Sequence, residues 1–421
     1  MIDNRRERLE GHAPLVECGW IIMHDISGVE KSALLNARDR SLEMLHDLLP
    51  DYRWKMPVLE FDGPAPSDRE FAVDLMKEGT RQREQRHWDY ALVITPADLC
   101  AYVKPYSMAM PSRSLSAAVL SLARIGFSPS GRRYKPSPGV NSNGNNNLYE
   151  AQREYLTDRI VALVMHLLGD LNDLYHSEEI ENFMYRPRKA ADLDRMQTLD
   201  PARLDQFSRE LRQTADIRLE EMLPRQQRGW LIFSGRALWL GREEIGRSVL
   251  QATPWQFPLR FSGLSTASIS TLIVLLASAE GWDLGTSMSP RAVVSLSLVA
   301  LALTCTYIII RQGLIIHRSP GRNRPTEQAV FSNAAAIMIV LLGMMTTWLM
   351  LFFLALLLAL TLYPEALVQT WAATVTGPLR LKHYLTLAGF TAGTGVVIGA
   401  LGSSFEDQRY FQHIAFVDEE L

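Results

Sequence analysis

Four stretches of this chain contain no charged residue: 261–279, 292–310, 329–364 and 384–405. A helix rises about 1.5 Å per residue, so each stretch is long enough to cross the ~30 Å of hydrocarbon in a bilayer. Soluble core helices rarely stay uncharged over such lengths. The pattern implies an all-α transmembrane bundle of about four helices, with spans near residues 261–280, 291–312, 329–363 and 384–405. The third stretch exceeds one crossing, and tilting, extension out of the bilayer or folding back would each absorb the excess. No span carries a charge near its middle, which argues against a proton relay or ion-coupled transport. The fourth contains Gly389, Gly393, Gly395, Gly399 and Gly402. Such spacing lets helix backbones approach closely, within the bundle or between protomers of a homo-oligomer.

The remainder of the chain is polar and mixed, so three regions are expected: a soluble domain over 1–222, a juxtamembrane segment over 223–262 and the transmembrane domain over 263–421. The juxtamembrane segment interleaves arginine with large apolar residues: Arg228, Trp230, Phe233, Arg236, Trp239, Arg242, Arg247, Trp255 and Arg260. A helix of this kind lies in the interface, arginines toward anionic lipid headgroups and tryptophans at the boundary. Arg311, Arg318, Arg322 and Arg324 between the second and third spans are similarly basic, whereas the connection holding Glu280 and Asp283 has only Arg291. The positive-inside bias then puts the N-terminal domain and the C-terminus in the cytoplasm of a multi-pass inner (plasma) membrane protein. Arg380 and Lys382, assigned outside, agree less well. A formal charge of −3 with no long basic run in the soluble region gives no reason to expect nucleic acid as a partner. Cys18, Cys100 and Cys305 are odd in number and scattered, which indicates no disulfide framework and a reducing compartment. The opening MIDNRRERLEGH lacks the apolar core of a secretory signal.

Within the soluble region, strand-like residues 19–24 precede a stretch, 31–49, whose leucines recur at helical spacing. Residues 52–61 alternate as a second strand, 67–85 form a charged helix, and 88–95 give the clearest strand pattern. A further strand is expected over 114–125, with Pro105 and Pro111 restricting the stretch before it. Residues 127–147, rich in Ser, Pro, Gly and Asn, have no periodicity and read as a surface loop, a tolerated insertion or a lid. Apolar residues then recur at three and four from 148 to about 174, which makes one long helix. Another helix spans 201–223, with Asp200 as its N-cap and Pro201 at its first position. The fold class is therefore α/β, a mixed-sheet domain followed by the helical bundle.

The long helix carries a notable run, His166-Leu-Leu-Gly-Asp170-Leu-Asn-Asp173-Leu-Tyr-His176, followed by Met184 and Tyr185. Set against the zinc-protease pattern HExxHxxGxxH, it keeps the first and third histidines. Asp170 stands in the second ligand position, Leu167 where a catalytic glutamate belongs, and Asp173 where glycine lets the chain turn. With a Met-turn-like Met184-Tyr185 after it, strands before it and a helix behind it, the region resembles the metzincin clan, archaemetzincin-type domains most of all. The resemblance implies that two ligands four residues apart project from one helix face and that a third follows a turn. His166, Asp170 and His176 become candidate zinc ligands, since aspartate is an acceptable donor. Asn172 or Asp173 would have to adopt the left-handed backbone at the turn.

Peptide hydrolysis also needs a proton acceptor beside the metal-bound water, and Leu167 cannot serve. Glu178 and Glu179 lie near in sequence and read as solvated surface groups. No catalytic residue is assigned. Zn2+ is the candidate cofactor, and a peptide or protein the candidate partner besides membrane lipids. The main expectation is a membrane-anchored pseudo-protease that binds or regulates without cutting. The alternatives are an active metalloprotease with a His-Asp-His ligand set, and a membrane scaffold or transporter regulated by the soluble domain. A histidine pair at the edge of an apolar helix face, with no metal, is the bland reading of the same residues.

Overall fold

The computed structural model describes residues 13–24, 26, 28–61, 68–126, 142–214, 235, 238–239, 242–315, 327–403 and 407–421. They fall into two compact units, the first comprising the chain up to Ala237 with residues 318–329 and Phe416–Leu421, the second Leu238–His317 with Val330–Ala415.

The first unit is built on a six-stranded sheet. Strand β1 (Leu15–Met23) is followed by helix α1 (Gly28–Leu48), β2 (Arg53–Lys55) and β3 (Val58–Phe61). Both β2 and β3 pair with β1, so the expected single strand over 52–61 is broken where Pro57 follows Met56. Next come β4 (Arg69–Glu70), α2 (Ala72–Arg86), β5 (Tyr90–Thr95), β6 (Asp98–Leu99), β7 (Ala109–Ser112) and β8 (Ala117–Ser121). The main sheet runs β2-β1-β5-β8-β7, with β3 beside β1, and every pairing is parallel except β7 with β8. Strands β5 and β8 are buried on both faces, which explains their continuous apolar sequence. Their faces differ in partner. Val16, Cys18, Trp20 and Ile22 of β1 share a core with Ala33, Leu34 and Leu45 of α1. Gly79 of α2 packs instead on Ala91 and Val93 of β5.

Strand β7 was not expected, because Pro111 interrupts its pattern. A proline is tolerated at the sheet edge, where its missing N–H removes no ladder bond from a central strand. The expected strand over 114–125 ends at Ser121, whose hydroxyl accepts from Ala123 N and starts the short helix α3 (Leu122–Ile125). Of the expected 127–147 loop, residues 127–141 lie outside the described residues, and 142–147 are helical instead. They open α4 (Ser142–Leu171), where extending a formed helix outweighs weak local propensity. Helix α5 (Pro201–Thr214) begins as expected, with Asp200 Oδ1 accepting from Arg203 N at 2.8 Å. Its continuation to 223 lies outside the described residues.

The second unit is helical: α6 (Arg242–Gln251), α7 (Phe257–Arg260), α8 (Ser262–Leu276), α9 (Ala279–Ser287), α10 (Pro290–Arg311), α11 (Glu327–Thr361), α12 (Glu365–Trp371), α13 (Leu381–Gly402) and α14 (Gln408–Phe416). Among the described residues, three helices are long and apolar enough to cross a membrane: Pro290–Arg311, Val330–Thr361 and Leu381–Gly402. The first uncharged stretch gives a shorter element. With 15 residues, or about 22 Å, α8 falls short of the hydrocarbon thickness by itself. It qualifies only together with Pro254–Arg260, at a bend of 78°. Ser278, whose hydroxyl accepts from Gly281 N, ends that run by capping α9. The long third stretch is one unbroken helix of 35 residues.

The glycines of α13 meet neighbours of the same unit. A methyl group at Gly389 would strike Val293, and one at Gly399 would strike Ser268, so α13 approaches α10 and α8 at small-residue distance. In the juxtamembrane segment, Arg242 lies over the exposed ring of Trp239 at 5.3 Å. Arg228, Trp230, Phe233 and Arg236 lie outside the described residues, as do Arg318, Arg322, Arg324 and the N-terminal stretch.

Candidate metal centre

Helix α4 delivers its residues in two faces. Leu163, Val164, Leu167 and Leu168 are buried in the sheet-facing core, which turns His166 and Asp170, one helical turn apart, to a common side. The helix stops at Leu171. Asp173 takes the left-handed conformation expected of the turn, with φ of 58°, and Leu174 N returns to Gly169 O at 3.0 Å. This reversal carries His176 back toward the helix end.

The three predicted ligands converge. Asp170 Oδ2 is 3.2 Å from His166 Nε2, and Asp170 Oδ1 is 3.3 Å from His176 Nε2. One donor atom from each of the three lies within 4.8 Å of the others. His166 is fully buried and the Asp170 side chain only 7% exposed, while His176 is half-buried. His166 Nε2, Asp170 Oδ2 and His176 Nε2 are each shielded from water and without a hydrogen-bond partner. Buried polar atoms are normally satisfied, and these three, held at ion-pair distance around Asp170 without a hydrogen bond, are marked as candidate donors to a cation.

The Asp170 carboxylate and the Phe183 contact suit a cation, and a cation would have to displace the proton that the Asp170 charge draws to His166. His166 Nδ1 lies 2.6 Å from the carbonyl oxygen of Phe183 and donates to it, which leaves the Nε2 lone pair directed at the cluster. Burial works against the Asp170 carboxylate, but the imidazoles of His166 and His176 outweigh it and hold its pKa well below the usual range. For His166, burial opposes the charged ring, and the Asp170 charge with the Phe183 carbonyl raises its pKa above the ordinary value.

The surrounding elements lock this arrangement. Met184 is completely buried beneath α4, and a methyl group at Gly169 would fall 2.2 Å from its sulfur, so glycine is what admits this contact. Tyr185 N bonds Asn182 O at 3.0 Å, and Ser177 N bonds Met184 O at 2.8 Å, which ties the turn after Asn182 to the third ligand. Arg203 of α5 donates to the carbonyls of Tyr175 and His176, each at 2.7 Å. Tyr90 donates to the Asn172 side-chain oxygen at 2.7 Å and fastens the helix end to the sheet. Leu167 is buried in the core, and Glu178 and Glu179 are exposed, so none of the three presents a carboxylate to the cluster.

Two residues that sequence reasoning did not single out complete the surroundings. Glu419 Oε2 lies 3.4 Å from His176 Nε2. Arg113, just after β7, pairs with Asp173 at the turn. Neither lies in a recognisable motif, and Glu419 is far from His176 along the chain.

No protein-family model and no curated protein matches the chain. Among solved structures, archaemetzincin from Methanopyrus kandleri is 19% identical, with 47% of this chain and 96% of that one aligned at a TM-score of 0.33. A zinc-dependent peptidase from Methanocorpusculum labreanum is 18% identical, covering 45% of this chain and 99% of that one, at a TM-score of 0.32. Archaemetzincin from Archaeoglobus fulgidus, solved with malonate, is 16% identical over 45% and 99%, at 0.28. At these values the functional reading has to come from the residues of the site.

Proposed function

We propose that the first unit is a zinc-peptidase-type domain in which His166, Asp170 and His176 hold a divalent cation, and that the second unit anchors it in a membrane. The observation that carries this reading is the set of three buried, unsatisfied donor atoms within 4.8 Å of one another. Two imidazoles and one carboxylate form a ligand set that hydrolytic zinc sites use. Zinc bound there would act as a Lewis acid toward a peptide carbonyl and would acidify a bound water. The chain's own residues hold the site in readiness: the Phe183 carbonyl fixes the His166 tautomer, Met184 supports the helix end, and Arg203 holds the backbone at His176. The arginine bias of the connecting segments supports a cytoplasmic placement of the first unit.

Leu167 favours a second reading, a domain that binds peptides without cutting them. A buried leucine beside the first ligand offers no proton acceptor, and loss of a general base lowers rates by about 100- to 10,000-fold. One experiment addresses both readings. The full-length protein, purified in detergent, is assayed for bound metal by elemental analysis and for cleavage of a peptide library. About one zinc per chain, lost in His166→Ala, is expected. A fully folded protein that takes up no divalent cation refutes the metal site. Cleavage abolished by the same substitution selects the protease, and stoichiometric zinc without cleavage selects the binder.

A further inference from the structure

We infer that Glu419 is the fourth ligand of this metal centre, delivered by residues 417–421, an extended segment bonded along the edge of the sheet, so that the chain closes its own site. The inference rests on the metal reading above and adds the occupant of the coordination position that the three ligands leave open.

The sheet ends at β7, and its outer edge is covered by the chain's own C-terminal segment. Met108 N donates to Leu421 O at 2.7 Å, Leu421 N to Ala109 O at 2.9 Å, and Asp418 N to Pro111 O at 3.0 Å. The segment therefore runs opposite to β7, as an extended peptide added to an exposed edge does. It is held on both sides of Glu419. Phe416 and Leu421 are buried, the Asp418 carboxylate accepts from Arg113 N at 2.6 Å, and the Glu420 carboxylate accepts from the backbone of Tyr102, Val103 and Lys104. Three successive backbone donors around one carboxylate make a preformed anchor.

Between these anchors the Glu419 side chain reaches the metal cluster. Its Oε2 is 3.4 Å from His176 Nε2, while Oε1 is 3.3 Å from Arg186 Nε. Donors about 2.0–2.1 Å from a tetrahedral zinc ion lie ~3.3 Å from one another. Glu419 Oε2 stands at that separation from His176 Nε2, 3.4 Å, as Asp170 stands from each histidine. The donors that all lie within 4.8 Å of one another are those of His166, Asp170 and His176, so Glu419 completes the set by turning from Arg186 toward the ion. A general base would act through a water and has no need to approach a ligand nitrogen so closely. Four protein ligands make a closed set, whereas a working hydrolytic zinc keeps one position for water. The same segment also fills the edge on which an extended peptide would be laid. Opening the site and freeing the edge are thus one event, the departure of residues 417–421.

The test uses the full-length protein in detergent, loaded with zinc for affinity by chelator competition, or with cobalt(II) for its visible spectrum with and without added azide. Glu419→Gln keeps the side-chain shape and removes the ligand charge. We expect it to bind zinc about 10- to 100-fold more weakly, at least the range that loss of a supporting outer-shell group already reaches. Its cobalt spectrum should respond to azide while the wild-type spectrum does not. Asp418→Pro removes both the N–H given to Pro111 and the carboxylate bonded to Arg113 N while keeping Glu419 in the chain, and it should produce the same azide response. Wild type that binds the metal while Glu419→Gln matches it in affinity and in azide response overturns the inference and leaves the metal reading standing. An Asp418→Pro protein that behaves as wild type overturns delivery by the segment. A wild-type protein that takes up neither zinc nor cobalt overturns both readings together.

Discussion

Gly169 is the point where helix α4 and the Met184 turn press on one another, and this contact predicts a change of sign. A methyl group there would lie 2.2 Å from the Met184 sulfur and 3.0 Å from its terminal carbon, with Leu174 at 3.6 Å behind. Met184 is fully buried and cannot swing into solvent. Overpacking of this kind destabilises by about 1–3 kcal/mol. Against it stands the helix propensity of alanine over glycine, worth up to ~1 kcal/mol. Overpacking is the larger effect over most of that range, so Gly169→Ala should lower stability by a net of up to ~2 kcal/mol. In a Met184→Ala background the obstacle is gone while the helix gain remains, and the same substitution should stabilise by up to ~1 kcal/mol. Met184→Ala alone removes about 2–5 kcal/mol, which a domain of ordinary stability survives. The readout is Cys18, a buried residue of the same core whose thiol is pushed up to about 12, first by burial and then by the nearby Asp89 charge. Labelling of Cys18 across a urea series, read by peptide mass spectrometry, reports opening of this core in the full-length protein. A Gly169→Ala effect of the same size in both backgrounds, or stabilisation in the wild type, would refute the packing argument.

Three further outcomes follow from other contacts. At pH 8 without denaturant, a thiol reagent should modify the partly exposed Cys100 while Cys18 stays unmodified; equal rates would show that the sheet core opens readily. For Asp200, burial works against the charge, but the Arg203 N–H and guanidinium and the Asn182 amide hold the carboxyl below its ordinary value. A depressed folded pKa contributes stability above the unfolded value, ~3.9, that is lost as pH falls through the folded one. Asp200→Asn keeps a good N-cap, so its stability deficit should be present at pH 7, begin to shrink only near the unfolded value of about 3.9, and vanish once the pH has fallen through the lower folded one. A deficit unchanged by acid would refute that account. Arg203→Ala removes both donors to the carbonyls of Tyr175 and His176, and zinc affinity by chelator competition should fall about 10-fold or more. Unchanged affinity would mean that the turn holds His176 without help from α5.

What could be read from the chain alone divides by how far an interaction reaches. The long apolar helices were visible because an uncharged stretch is a local property, and so was the helix carrying His166 and Asp170, because the i, i+4 relation needs one turn of helix. The reversal at Asp173 was visible for the same reason: one position had to accept φ near 58°. The first span was less so, since its end depends on one serine hydroxyl that caps the next helix. Strand β7 was missed because Pro111 breaks the alternation, and an edge strand is short enough for one residue to decide. Glu419 was beyond reach altogether. Its segment is recruited by backbone N–H and C=O groups, which all residues but proline offer equally, so edge pairing leaves no residue pattern to find. Of the segment's side chains, Glu420 bonds three backbone amides and Phe416 and Leu421 go to buried positions, and none of these residue types marks a site by itself. The metal cluster could therefore be found by spacing, but not the group that closes it. The three candidate ligands come from eleven consecutive residues and share a helix and its turn, whereas the proposed fourth depends on a sheet edge covered by residues far along the chain.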